Sequence, residues 1–187
     1  PSSPPSPPPP FPPPEQYDCA DYESPQDLAA RDTLHFDTTT SVHSNLDGQG
    51  PDSPSADHSI RFVAAGTSSA TGEALDLEVV ALTEYTPNNV LMNGLNSGTG
   101  LGQINVLGSE NGTSVDLEFR IRSTATGAPV AADFFVSFLD IDASQNGADE
   151  CLSVSGFSRF YVTNDTELRI AKDPSVAGAT QFCSSVT

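Results

Sequence analysis

The sequence contains no tryptophan, one methionine and only 7 basic residues against 25 acidic ones, which gives a formal net charge of −18 at pH 7. Because contact with phosphates requires a basic surface, we expect no nucleic-acid partner. No apolar run approaches the roughly 20 residues that a membrane-spanning helix needs, so no membrane span is expected. What remains is an acidic chain of 187 residues, long enough to bury a hydrophobic core.

Motifs of common enzyme chemistry are also missing. The sequence has no G-x-S-x-G elbow, no phosphate-binding P-loop and no H-E-x-x-H pair. The glycine-rich stretch at 93–102 lacks the strand and helix that frame a dinucleotide-binding loop. The three histidines are scattered, without a nucleophile motif beside them. We therefore expect a protein that is not an enzyme and that has no certain cofactor.

Three cysteines are present, and none lies in a C-x-x-C or zinc-ligand spacing. Cys151 and Cys183 both fall in the part of the chain predicted to fold, which favours a disulfide bond between them. Cys19 would then be a free thiol or would bond to a neighbouring subunit. The alternative is three buried, reduced cysteines.

The feature most abundant in this chain is proline at its beginning. Ten of the 16 prolines lie within residues 1–14. Proline lacks the backbone N–H and fixes φ, so such a tract forms a stiff polyproline II rod that extends ~3.1 Å per residue. We predict a polyproline II arm at 1–14, a polar, acidic connector at 15–33 and a folded domain at 34–187.

Alternation of apolar and polar residues dominates the rest of the chain. It is clearest at 113–123, where Val115, Leu117, Phe119 and Ile121 alternate with charged residues. The segment 133–142 is apolar on both faces as far as Leu139, which predicts a strand placed centrally in a sheet. Further strands are predicted at 34–36, 60–64 and 75–85 and in three short segments after residue 150. This pattern predicts an all-β fold, an antiparallel β-sandwich with jelly-roll-like topology.

Two loops are dense in side-chain oxygens. From Asp142 the spacing D-x-S-x-N-G is close to that of calcium-binding loops, although the glutamate at the twelfth position is missing. A solvated acidic hairpin loop is the alternative. The loop at 44–53 is equally consistent with ligand binding and with a series of tight turns. The candidate calcium ligands are Asp140, Asp142, Asn146, Asp149 and Glu150.

Two N-glycosylation sequons begin at Asn111 and Asn164, and neither is blocked by proline. Both lie where turns are expected, so both asparagines should be accessible. They predict covalent glycans and a secretory route.

The run at 2–10, SSPPSPPPP, resembles the Ser-Pro stalks of hydroxyproline-rich glycoproteins of green algae and plants, of the extensin and pherophorin type. A proline rod joined to a β-domain is also similar to subunits of algal flagellar hairs (mastigonemes). The resemblance implies a rod sheathed in sugars, with hydroxylated and O-glycosylated prolines. These are Pro4, Pro5, Pro7, Pro8, Pro9, Pro10, Pro12, Pro13 and Pro14.

Together these features predict a secreted, non-enzymatic structural glycoprotein that forms part of an extracellular fibril or of a cell or flagellar surface coat. Its expected partners are glycans and copies of itself in a homopolymeric filament, joined through the arm and the β-domain. The stiff arm beside Cys19 motivates this hypothesis. The alternative is a calcium-dependent carbohydrate-binding or adhesion module on a glycosylated stalk, although tryptophan, the usual sugar platform, is absent.

Overall fold

A computed structural model of the chain describes residues 14–18, 42–68, 70–96, 101–109, 112–132, 134–141 and 149–185. Regular structure in these segments is almost entirely β-strand, which confirms the predicted all-β class. The sandwich arrangement and the jelly-roll topology stay predictions. The segment 34–36, for which we predicted a strand, lies outside the described residues.

The chain divides into two compact units. The central unit, Pro25–Phe135, contains strands β2 to β7, and the terminal unit combines the two ends of the chain, Pro1–Ser24 and Val136–Thr187. The strands of the central unit are β2 (Val42–Ser44), β3 (Ser59–Thr67), β4 (Ala74–Ala81), β5 (Gly94–Asn96), β6 (Leu101–Gln103) and β7 (Leu117–Ser123). Those of the terminal unit are β1 (Glu15–Asp18), β8 (Cys151–Val154), β9 (Arg159–Val162), β10 (Leu168–Lys172) and β11 (Thr180–Ser184). Single 3-10 turns occur at Leu46–Gly48 and Val90–Met92.

Within the described segments, no helix is long and apolar enough to cross a membrane.

The central unit is built on an antiparallel sheet with the strand order β2-β3-β4-β7, and β5 and β6 pair separately. Leu77 of β4 lies opposite Phe62 of β3 and Ile121 of β7. Ile60, Phe62 and Val79 are buried in one apolar cluster, to which the 3-10 turn contributes Leu46. The alternation predicted for 113–123 is confirmed over β7, because Leu117 and Phe119 pack against this cluster.

The opposite face of β4 and β7 carries charged side chains. Glu78 of β4 accepts a hydrogen bond from Arg122 Nε at 2.7 Å and lies 3.7 Å from Arg120 Nη1. Arg120 also pairs with Glu118 on its own strand. These cross-strand pairs stabilise the sheet modestly, because exposed ion pairs typically contribute less than ~1 kcal/mol each.

An irregularity in β3 is supported by a buried acid. The register with β4 shifts between Phe62 and Gly66, and Ala64 has a φ of 51°, in the left-handed region. Asp76 accepts hydrogen bonds from the Ala64 amide at 2.8 Å and from the Thr124 hydroxyl at 2.6 Å. The carboxylate therefore satisfies an amide that the bulge withdraws from the β-ladder.

The prediction of a central strand at 133–142 is wrong for its described part. Residues 134–141 form no strand, and Phe138 and Leu139 have exposed fractions of 41% and 64%. Phe134, at the start of this segment, packs against the small cluster of Leu75 and Ile121. A segment with apolar residues on both faces has no period that distinguishes an inner face from an outer one, so it does not specify a strand.

The terminal unit contains a three-stranded antiparallel sheet with the order β10-β11-β8. Cys151 lies directly opposite Cys183 in this sheet. The Phe182 ring of β11 contacts the Phe160 ring of β9, with centroids 5.1 Å apart. The centroid of the Phe157 ring lies 6.4 Å from that of Phe182. β9 itself pairs in parallel with β1, a strand that lies inside the segment for which the sequence predicted a polar connector.

Gly50 allows a close approach between two parts of the loop after β2. A Cβ atom at this position would lie 2.1 Å from the Ser44 carbonyl oxygen and 2.5 Å from Asn45 Cα. Both neighbours are backbone atoms, so they cannot move aside without distorting the loop.

We predict that Gly50→Ala lowers the free energy of unfolding by about 1–3 kcal/mol, the typical range for overpacking a well-packed position. Gly108→Ala is the matched control, because a Cβ atom there meets nothing within 4 Å. The measurement is urea unfolding of both variants, and equal midpoints would contradict the close-approach interpretation.

Asp173, at the end of β10, is a buried carboxylate with an exposed fraction of 4%. The Ser153 hydroxyl, the Ser175 hydroxyl and the backbone amides of Ser175 and Val176 all donate hydrogen bonds to it. These donors, Ser153 foremost, hold the pKa of Asp173 well below its ordinary value.

A depressed pKa means that Asp173 stabilises the fold above about pH 4, its ordinary range, and that this stability is lost as the pH falls further. We expect Asp173→Asn to lower the melting temperature at pH 7 and to weaken the acid dependence. The control is Asp165→Asn, which removes the same charge from an exposed turn. The same loss of melting temperature in both variants would show that the hydrogen bonds of Asp173 are unimportant.

Candidate functional site

The predicted loop at 44–53 uses its polar side chains to hold its own backbone. Asn45 is fully buried, donates to the Asp57 carbonyl oxygen at 2.9 Å and accepts from the Gly50 amide at 3.2 Å. Asp52 accepts from the Ser44 amide at 2.7 Å, and Asp47 accepts from the distant Tyr85 amide at 3.0 Å. Of the two interpretations that the sequence left open, this geometry favours a series of tight turns.

A shallow polar cleft lies beside this loop, between β2 and the segment that leads into β3. Its lining includes His43, Asp52, Asp57 and Arg61. His43 Nε2 lies 2.9 Å from the Asp57 carbonyl oxygen, and its Nδ1 lies 3.7 Å from the Asp52 carboxylate. Arg61 pairs with Asp57 at 3.6 Å. The charged groups of the cleft are thus engaged with one another.

The predicted calcium set is only partly described. Asp142 and Asn146 lie outside the described residues, whereas Asp140, Asp149 and Glu150 are described and exposed. The Asp149 carboxylate lies 3.5 Å from Arg169 Nη2, so its partner in this structure is a basic side chain. No three His, Cys, Asp or Glu residues of the described segments are grouped as a metal ion requires. The calcium site stays a prediction.

The predicted modification sites also divide between described and undescribed residues. Asn164 lies exposed in the turn between β9 and β10, where an acceptor asparagine is accessible. Asn111, Cys19 and the prolines before Pro14 lie outside the described residues. Their glycosylation, hydroxylation and bonding stay predictions.

The predicted disulfide between Cys151 and Cys183 is present. It joins β8 to β11 across directly opposed positions and closes a chain segment with a sequence separation of 32 residues. The bond therefore ties β8 to β11, the strand whose Phe182 contacts Phe157 and Phe160.

We expect the double variant Cys151→Ser/Cys183→Ser to be less stable by about 3–4 kcal/mol. This is the free energy that corresponds to the entropy the unfolded chain loses when a loop of this length is cross-linked. Calorimetry at pH 7 measures the change. Cys19→Ser is the control, since it leaves this bond intact, and an unchanged melting temperature in the double variant would contradict the assigned role.

The strand pair β1·β9 joins the first described strand of the chain to the terminal unit. The pairing is parallel, with Glu15 opposite Arg159 and Asp18 opposite Val162. The Glu15 amide donates to the Ser158 carbonyl oxygen at 3.0 Å, which begins the ladder. Pro14 precedes the strand directly, so the predicted proline arm leads straight into this pair.

One face of the pair carries its side-chain contacts. The Tyr17 ring lies 5.5 Å from the Tyr161 ring and 5.7 Å from the Arg159 guanidinium carbon. The Tyr17 hydroxyl donates to the Glu15 carboxylate, and this hydrogen bond and the negative charge raise the pKa of Tyr17. Stacking of a cation and two aromatic rings fixes the register of the two strands.

The other face of β9 joins the body of the unit. Phe160 lies between the outward-facing Arg159 and Tyr161 in sequence and packs edge-to-face on Phe182 of β11. β9 was predicted as a strand from its apolar and aromatic residues, whereas β1 was not. The sequence EQYD offers a single ring, Tyr17, among polar residues, and this was the only local signal of a strand.

The chain matches no protein-family model, no curated protein and no solved structure. The interpretation of the site therefore depends on its own geometry and chemistry.

Proposed function

We propose that the protein is a secreted, non-enzymatic structural glycoprotein, a subunit of an extracellular fibril or surface coat. The observation that supports the proposal most directly is the position of β1. A tract of ten prolines is followed at once by a strand that pairs with β9. A stiff arm that ends in a paired strand is suited to linking one subunit mechanically to another. It is not suited to catalysis on a small molecule.

Two further features support an extracellular location. The Cys151–Cys183 disulfide is the type of bond that persists in oxidising compartments. The Asn164 sequon lies in an exposed turn two residues after β9, where an acceptor asparagine is accessible. Glycans on the proline arm would keep it extended and soluble.

The charge of −18 must be reconciled with close contact between copies. Like charges repel over about 30 Å at 0.01 M salt but only about 8 Å at 0.15 M. Pairing of strands depends on backbone hydrogen bonds, which are insensitive to net charge. Assembly is therefore expected to require physiological or higher ionic strength.

We predict that electron microscopy of the native protein at 0.15 M salt reveals regular filaments or sheets, with excess mass on the segment 1–14 in intact-mass analysis. Two deletions sharpen the test. Removal of 1–18 eliminates the arm and β1 and should abolish assembly, whereas removal of 1–13 retains β1 and should weaken it less. Monodisperse particles from the native protein, or filaments without residues 1–18, would contradict the proposal.

A further inference from the structure

The strand β1 is attached to the terminal unit by few contacts. It has four residues, pairs with β9 alone among the described strands, and forms a two-stranded sheet with it. Glu15 and Gln16 are exposed, and Tyr17 and Asp18 are only partly buried. Two-stranded sheets of this size are marginally stable in water. β1 is therefore expected to detach without unfolding the rest of the unit.

The strand β9, in contrast, is fixed independently of β1. Phe160 and the neighbouring Phe157 pack on Phe182, and Phe182 belongs to the three-stranded sheet that the disulfide closes. The groups of β9 that receive β1, the Arg159 guanidinium and the Tyr161 ring, lie on the opposite face. With β1 detached, the packing of Phe160 on Phe182 still holds the β9 segment, whose backbone edge can then receive another strand.

The connection to β1 is long. β1 ends at Asp18 and the next described strand begins at Val42, so 23 residues lie between them (19–41). The same segment of a neighbouring copy makes the same contacts with β9, so it competes with the chain's own β1 where copies are concentrated side by side, as in the proposed fibril.

We propose that β1 is exchanged between copies: Glu15–Asp18 of one copy pairs in parallel with Arg159–Val162 of the next. This inference rests on the proposed structural function and names the contact that carries it. Each copy donates one strand and accepts one, so the contact is head-to-tail and generates an open chain of subunits. The proline arm, attached at Pro14, is then anchored to the neighbouring copy.

The test uses pairs of full-length proteins that carry single introduced cysteines, all with Cys19→Ser. One partner carries Glu15→Cys or Asp18→Cys, and the other carries Arg159→Cys or Val162→Cys. The two partners have different affinity tags, so only cross-links between copies produce a doubly tagged dimer. Mild oxidation is followed by peptide mapping, with the Cys151–Cys183 bond as the internal standard.

Parallel exchange predicts cross-links of position 15 with 159 and of position 18 with 162. These should exceed the crossed pairs, 15 with 162 and 18 with 159, by about tenfold, the ratio that a preference of ~1.4 kcal/mol produces. The crossed pairs are the matched controls, because they contain the same four cysteines. An excess of crossed pairs, equal yields or no dimers would overturn the exchange.

Electron microscopy of the tagged proteins without introduced cysteines separates this inference from the proposed function. Filaments without the parallel cross-links would overturn strand exchange and leave the structural function supported. Parallel cross-links without filaments would support exchange and contradict the fibril. Absence of both would overturn both.

Discussion

The constraint that governs this structure is the placement of 25 acidic residues in a chain with only 7 basic ones. Acids far outnumber cations, and several acids within the described fold accept hydrogen bonds from backbone amides and hydroxyls instead of pairing with a basic side chain. Asp76 supports the irregular part of β3, Asp47 binds the Tyr85 amide, and Asp173 gathers four donors at the end of β10. Carboxylates serve here as loop and bulge supports, a role in which charge-assisted hydrogen bonds are stronger than neutral ones.

The same constraint explains why acidic loops were ambiguous in the sequence. Aspartate, asparagine and glycine at short intervals supply calcium ligands in some proteins and turn-stabilising acceptors in others. In the loop at 44–53 the acceptors face backbone amides of the same loop and of Tyr85. Which donor a carboxylate meets depends on distant residues, such as Tyr85 for Asp47, and local sequence does not contain that information.

The local sequence pattern was sufficient to predict a strand where the two-residue alternation of apolar and polar side chains dominated. The alternation in β4 and β7 predicted their inner faces, and the positions of Cys151 and Cys183 predicted the disulfide. It failed at 134–141, where apolar residues occupy both faces as far as Leu139 and no inner face is distinguished. It also failed at β1, since a short polar strand is specified by its partner: the Arg159 guanidinium and the Tyr161 ring that receive Tyr17 belong to β9, 142 and 144 residues further along the chain.

The proposed assembly of so acidic a protein needs contacts that do not depend on complementary charge. Backbone pairing meets this requirement, because the ladder between β1 and β9 forms between amides and carbonyls whatever the net charge. At this contact Arg159 lies opposite Glu15 in the register and its guanidinium lies over the Tyr17 ring. In the proposed assembly, the exposed acids oppose contact at any surface that lacks a strand edge and a cation. Net repulsion would thereby favour the β1·β9 pairing, because this pairing supplies both a strand edge and a cation.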